Sequence, residues 1–142
     1  MKFTSKIIKW FKEAFRTNDP VVTSRYEAII RYNGAIIGRA WGVYVVEKRY
    51  AHPDGSPVQP STFIISTAKF RLAWILSLLQ TEGYEGCEDL LGNGQLSMGI
   101  VDVTTGEVIV NLDSVIFISG NWSLDNRGVH GEDTEFIGTR EG

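Results

Sequence analysis

Chemistry in this chain would have to start from His52, His130, Cys87 and the carboxylates Glu132, Asp133 and Glu135. A histidine set between a serine and an acid could drive acyl transfer, but no GxSxG elbow is present to expose the serine. Neighbouring carboxylates can divide acid and base roles. In an alternating strand, however, Glu132 and Asp133 face opposite sides, so they read as a solvated rim. Cys87 adjoins Glu88 and Asp89, whose charges disfavour a thiolate. His52 and Asp54 are two residues, too few for a metal site, and Pro53-Asp54-Gly55 is good turn chemistry. No acidic loop has the spacing of a calcium site. Gly92-Asn93-Gly94 lacks the length of a dinucleotide fingerprint and the Gly-Lys-Ser/Thr ending of a phosphate loop. The expectation is a protein that is not an enzyme, with no catalytic, cofactor or metal residues. Arg25, Arg31, Arg39 and Arg49 alternate loosely with Tyr26, Tyr32 and Trp41, the nearest approach to a nucleic-acid surface. No RNP-type motif accompanies them, so only non-specific contact with nucleic acid is expected. Trp41, Trp74 and Trp122 could instead form an aromatic platform for a carbohydrate or peptide, or simply lie in the core.

Most of these residues must be positioned by strands. Asn33-Gly34 separates two runs rich in Ile, Tyr and Val, and Asn-Gly suits the two positive-φ positions of a type I′ hairpin turn. Before the turn, Tyr26, Ala28, Ile30 and Tyr32 alternate with Arg25, Glu27, Ile29 and Arg31. After it, the run to Tyr50 is too long for an ordinary strand and holds Gly38 and Gly42, signs of a bulge or close backbone approach. The spacing predicts a long, bent hairpin. Residues 51–60 carry three of the four prolines and read as a surface loop. Residues 61–67 read as a short strand, and 68–81 as a largely buried helix stopped by Glu82-Gly83. The competing reading continues the strand through Trp74, with Phe70, Leu72 and Trp74 on one face. Residues 83–95 hold four glycines, and Gly92-Asn93-Gly94 reads as a turn. Residues 95–139 read as strands: Leu96, Met98 and Ile100 alternate, Gly106 suits a hairpin, Gly120 a bulge, and 125–128 a turn.

At the start, Phe3, Ile7, Phe11, Ala14 and Phe15 fall on one helical face, and Lys6, Lys9, Lys12, Glu13 and Arg16 fill the rest. This amphipathic stripe needs a partner, because burying each Phe or Ile is worth about 1.5–3 kcal/mol. It could lie on its own domain, on another subunit or, less fittingly, on a membrane surface. The expected organisation is therefore an N-terminal helix or extension over 1–20 and one domain over 21–142. The fold class is α+β and β-rich: an antiparallel sandwich or barrel with that helix and one central helix.

The 142 residues suffice for one domain with its own core. A single cysteine rules out a disulfide framework within the chain. No apolar run is long enough to cross a membrane as a helix, so no membrane insertion is expected. The basic start lacks the continuous apolar region of a secretory signal. The net charge of −3 hides an asymmetry. Residues 1–50 hold ten Lys/Arg and four Asp/Glu, whereas 51–142 hold four and thirteen. Such a chain could dock one end on the acidic part of its neighbour, or scatter its charges over solvated faces.

From Tyr26 onward the pattern resembles the tail tube proteins of long-tailed bacteriophages. The likeness rests on RYNGAIIGRAWGVYVVEKR, the proline loop, a central helix, DVTTGEVIVNLDSVIF and a last strand ending near FIGTR. The resemblance implies subunits that assemble into hexameric rings, stack into a tube and let DNA pass, in the virion after assembly in the host cytoplasm. A neck or baseplate component is a related possibility. The implied partners are further copies of the chain, with a tail sheath or baseplate protein possible. By this resemblance the hairpin at Asn33 and Gly34 would line the assembly, and the loop with Tyr50, His52 and Asp54 would reach the next ring. The helix 68–81 would lie on the outer wall. Ile7, Phe11 and Phe15 complete the candidates for contact between subunits.

Overall fold

In the computed structural model, residues 25–48, 52–56, 61–73 and 77–140 are described. The Asn33-Gly34 turn forms as its residue types dictate, with φ of 49° and 81°. It joins β1 (Tyr26–Tyr32) to β2 (Ala35–Trp41). Tyr26, Ala28, Ile30 and Tyr32 turn towards the core, the alternation legible in the sequence. Strand β3 (Tyr44–Lys48) continues β2, since both lie along β4 (Ser61–Ala73) in one register, from Gly38 opposite Leu72 to Lys48 opposite Thr62. The bend falls at Gly42, whose φ is 61°. Gly38 marks the close approach: a Cβ there would lie 2.5 Å from the carbonyl oxygen of Arg71.

Strands β5 (Leu96–Asp102), β6 (Val108–Asp125) and β7 (Gly128–Arg140) complete the set. Around the molecule the order is β2-β1-β5-β6-β7-β4, and β4 pairs with β2 to close a six-stranded antiparallel barrel. Closure removes the edges that an open sheet would leave unpaired. The closed wall also shields one core. Ile30, Ile65, Phe70, Leu72, Met98 and Phe136 are among its fully buried side chains. Phe136 packs edge-on against Phe70 and Phe117, with centroids 5.4 and 5.6 Å apart. Six strands enclose a space that side chains fill, and the described core residues occupy it.

The central helix is not where the sequence placed it. Residues 68–73 belong to β4, as the competing strand reading had it, and helix α1 spans Ser77–Gly92. The stop expected at Glu82-Gly83 is visible inside this span: Gly83, with φ 61° and ψ −136°, is non-helical and divides it into two helices across a kink. The turn expected at Gly92-Asn93-Gly94 is present at Asn93-Gly94, directly after the helix, and Cys87, Leu90 and Leu91 at i, i+3, i+4 spacing enter the core. Because α1 links the end of β4 to the start of β5, it sits at the barrel end that also holds the Asn33-Gly34 turn, not along the outer wall. The strands expected separately over EVIVNL and SVIFISGNWSL are the single strand β6. The predicted N-terminal helix lies outside the described residues.

Candidate functional site

Among the described residues, those that could do chemistry are held by turns and ion pairs or are scattered, and they do not converge. In the 52–56 turn, Gly55 N–H donates to the His52 carbonyl at 2.8 Å, and Asp54 Oδ1 accepts from the Ser56 N–H and hydroxyl at 2.9 and 2.6 Å. The Ser56 hydroxyl, then its N–H, hold the Asp54 carboxyl below its ordinary range. His52 is exposed. His130 lies on β7, with Nε2 2.7 Å from Asp125 Oδ2. Asp125 also accepts from Arg127 N–H at 2.7 Å, which fixes the β6–β7 turn. His130, then Arg127, hold its carboxyl low. The Cys87 thiol is buried and burial pushes it up, the opposite of an activated nucleophile.

Glu132 and Asp133 do not face opposite ways. Both are exposed, because Asp133 takes a positive φ of 47° and the alternation slips there. Lys69 Nζ lies 3.9 Å from Glu132. Among the described residues no three His, Cys, Asp or Glu side chains gather as metal ligands. Of the basic and aromatic series, Arg39 Nε donates to Glu27 at 2.8 Å while its guanidinium lies 4.9 Å from the Trp41 ring centre. Arg25 Nε donates to Asp102 at 2.9 Å. These two arginines are engaged within the protein. Asn33 and Gly34 are exposed at the hairpin tip. Ile7, Phe11, Phe15, Tyr50 and Trp74 lie outside the described residues.

What remains is surface. Strand β3 pairs with β4 alone among the described strands, and it presents Tyr44, 68% exposed, and Val46. Beyond Val115, β6 pairs with β7 alone among the described strands, and Ile118 there is exposed. On α1, Tyr84 stacks on Trp122 of β6, with centroids 4.6 Å apart and planes at 16°. Beside it Glu82, Glu85 and Asp89 line an open groove of about 410 Å³. The sequence reading missed this aromatic pair. The spacing of Cys87, Leu90 and Leu91 could have found the helix that carries Tyr84, but the glycines at 83 and 86 obscure it. No protein family matches this chain, and no curated protein is detectably similar to it.

Proposed function

We propose that this chain is a structural subunit that assembles with copies of itself into stacked rings, as a tail tube or neighbouring tail component of a long-tailed phage. The observation that carries the reading is the β3 segment. It prolongs the hairpin past the barrel, has a strand on one side only among the described residues, and exposes Tyr44 and Val46. Such an edge favours pairing with another chain. Pairing it with a different surface of an identical subunit is a heterologous contact, the kind that closes rings or extends filaments. Since the subunit interior is filled, a channel for DNA lies between copies in this reading. Charge supports head-to-tail stacking: residues 77–92 hold four Asp/Glu and no Lys or Arg, while residues 1–50 carry an excess of basic groups. Asn33 and Gly34, and the loop of Tyr50, His52 and Asp54, then contribute to contacts between copies. DNA passes without specific recognition.

Negative-stain electron microscopy and light scattering of concentrated protein test this reading. Rings or tubes are expected, and Val46→Pro should abolish them while leaving a folded monomer. A strict monomer at high concentration would overturn the proposal. The Tyr84–Trp122 pair favours a second reading, a module for a carbohydrate or peptide, since Tyr84 is 55% exposed. A sugar- or peptide-dependent change in tryptophan emission, lost in Tyr84→Ala, would select it.

A further inference from the structure

Part of the outer wall of the barrel is buried although it faces away from the core. Ala28, Ile30 and Ile100 point inward, so Ile29 and Val101 point outward. Yet Ile29 is 4% and Val101 2% exposed, and they form a cluster of their own with Ile36, Ala73 and Val108. Arg39 and Arg71 flank it, both buried. Ile64 and Ile137 provide an internal control. They pair with each other on the outer face of β4 and β7, next to inward-facing Ile65 and Phe136, and are only partly buried. Facing outward in a regular pair therefore does not by itself bury an apolar side chain as Ile29 and Val101 are buried. Helix α1 does not cover them: it lies against β6 and turns Cys87, Leu90 and Leu91 into the interior cluster.

We propose that the N-terminal segment, as an amphipathic helix over residues 3–16, seats Ile7, Phe11 and Phe15 on this strip of its own subunit. The segment has the required chemistry, an apolar stripe backed by Lys6, Lys9, Lys12 and Arg16. It also ends in the right place, since Arg25 directly precedes β1, the strand that carries Ile29. The eight residues 17–24 extend to at most about 26–29 Å, and a seven-residue strand is about 23 Å long, so the whole strip is within reach. A tether this short gives an effective concentration of order mM, which favours the chain's own strip over a neighbour's. Other segments fit less well. Residues 57–60 hold two prolines and no apolar stripe, and Trp74, Ile75 and Leu76 can reach only the Ala73 end.

The seat does not depend on assembly, so it can be tested whether or not rings form. A benzophenone amino acid at position 11 of the full chain would be photoactivated in an equal mixture of ¹⁴N- and ¹⁵N-labelled protein. Cross-links to peptides of β1, β2 or β5 within like-labelled chains are expected. Cross-links to α1 or β6, none at all, or mixed-label products would overturn the proposal. As a second measurement, Val101→Cys in the full chain should react slowly with a thiol reagent, read by peptide mass so that Cys87 does not interfere. Adding Phe11→Ser with Phe15→Ser should speed that reaction at least tenfold. An unchanged rate would overturn the proposal.

Discussion

Strands β1 and β5 turn every second residue inward: Tyr26, Ala28, Ile30 and Tyr32 on one, Leu96, Met98 and Ile100 on the other. The opposite wall loses that rhythm in a single row. Ala40 and Val43 are both core residues on either side of Gly42, and on β4 the inward series Phe63, Ile65, Thr67 resumes at Phe70 and Leu72. On β7, Thr134 and Phe136 are buried, and the slip falls at Asp133. Across from it, β6 shifts register on both sides of Ser119. Gly42, Asp133 and Gly120 have φ of 61°, 47° and 117°, so three of the four strands bend through left-handed backbone. The straight wall is the β1–β5 pair, which keeps one register throughout, with the bulges beside it falling on β2 and β6, whereas the other wall is folded along a crease. A narrow barrel needs such a crease, because strands of 13 and 18 residues cannot coil around so small a core while staying regular.

The largest effect should follow from stiffening the crease. A Cβ at Gly120 would sit 2.7 Å from the Asp133 carbonyl oxygen and from the Thr134 Cα, at a φ that side chains avoid. Strain and overlap together put the cost of Gly120→Ala at roughly 2–4 kcal/mol. It should appear as a lower denaturant midpoint with an unchanged slope. A loss below about 1 kcal/mol would mean that the crease is soft and the two walls do not differ in kind.

Next comes the bond that pins the crease from inside. The hydroxyls of Thr67 and Thr134 are 2.6 Å apart and buried. Thr67→Val strands the Thr134 hydroxyl without its partner, at a cost of about 1–3 kcal/mol. Thr67→Val combined with Thr134→Val removes both groups and should recover most of that loss. If the double variant were as unstable as the two single losses added together, the bond would not be the source of the effect.

The same comparison explains which parts of the fold were legible in the sequence. Straight strands announce themselves, and the β1–β2 hairpin and β5 follow directly from Asn33-Gly34 and from Leu96, Met98 and Ile100. The crease hides its strands. With a spacing of three between inward Thr67 and Phe70, β4 mimics the i, i+3 step of a helix, and that places a helix over 68–81. The true helix is masked in turn by Gly83, which kinks it, and by Gly86. Of the candidate site, the hairpin tip and the 52–56 turn were readable because turn residues declare their geometry locally. The exposed edge of β3 was not, because it depends on where β1 begins on the neighbouring side.

Acid should act on both walls, more weakly than these substitutions. Burial opposes ionisation of Asp102 at the end of the straight wall, but the Arg25 side chain and the Thr104 N–H, 2.9 Å away, outweigh it and hold the carboxyl low. Asp125, beyond the crease, is held low by His130 and Arg127. A carboxyl whose folded pKa lies below its unfolded value stabilises fully above the unfolded value, near 4, and loses that contribution as pH falls through the folded one. Urea midpoints measured at pH 6 and pH 3 should therefore fall with acid, and fall less in Asp102→Asn and in Asp125→Asn. An undiminished fall in both variants would place the acid sensitivity elsewhere.

The smallest effect belongs to the glycine of the straight wall. Gly99 has no positive φ, and a Cβ there would meet only the ends of side chains, Asn111 Oδ1 at 3.2 Å and Arg31 Nη1 at 3.4 Å. Both can give by a few tenths of an ångström. Replacing glycine by alanine at a compatible backbone also narrows the unfolded ensemble, which stabilises by about 0.4–1 kcal/mol. Gly99→Ala should thus stay within about 1 kcal/mol of the parent chain by denaturant unfolding, with either sign. A loss matching that of Gly120→Ala would show that packing on the straight wall is as unforgiving as the crease. The positive-φ row would then no longer be what sets the two sides of the barrel apart.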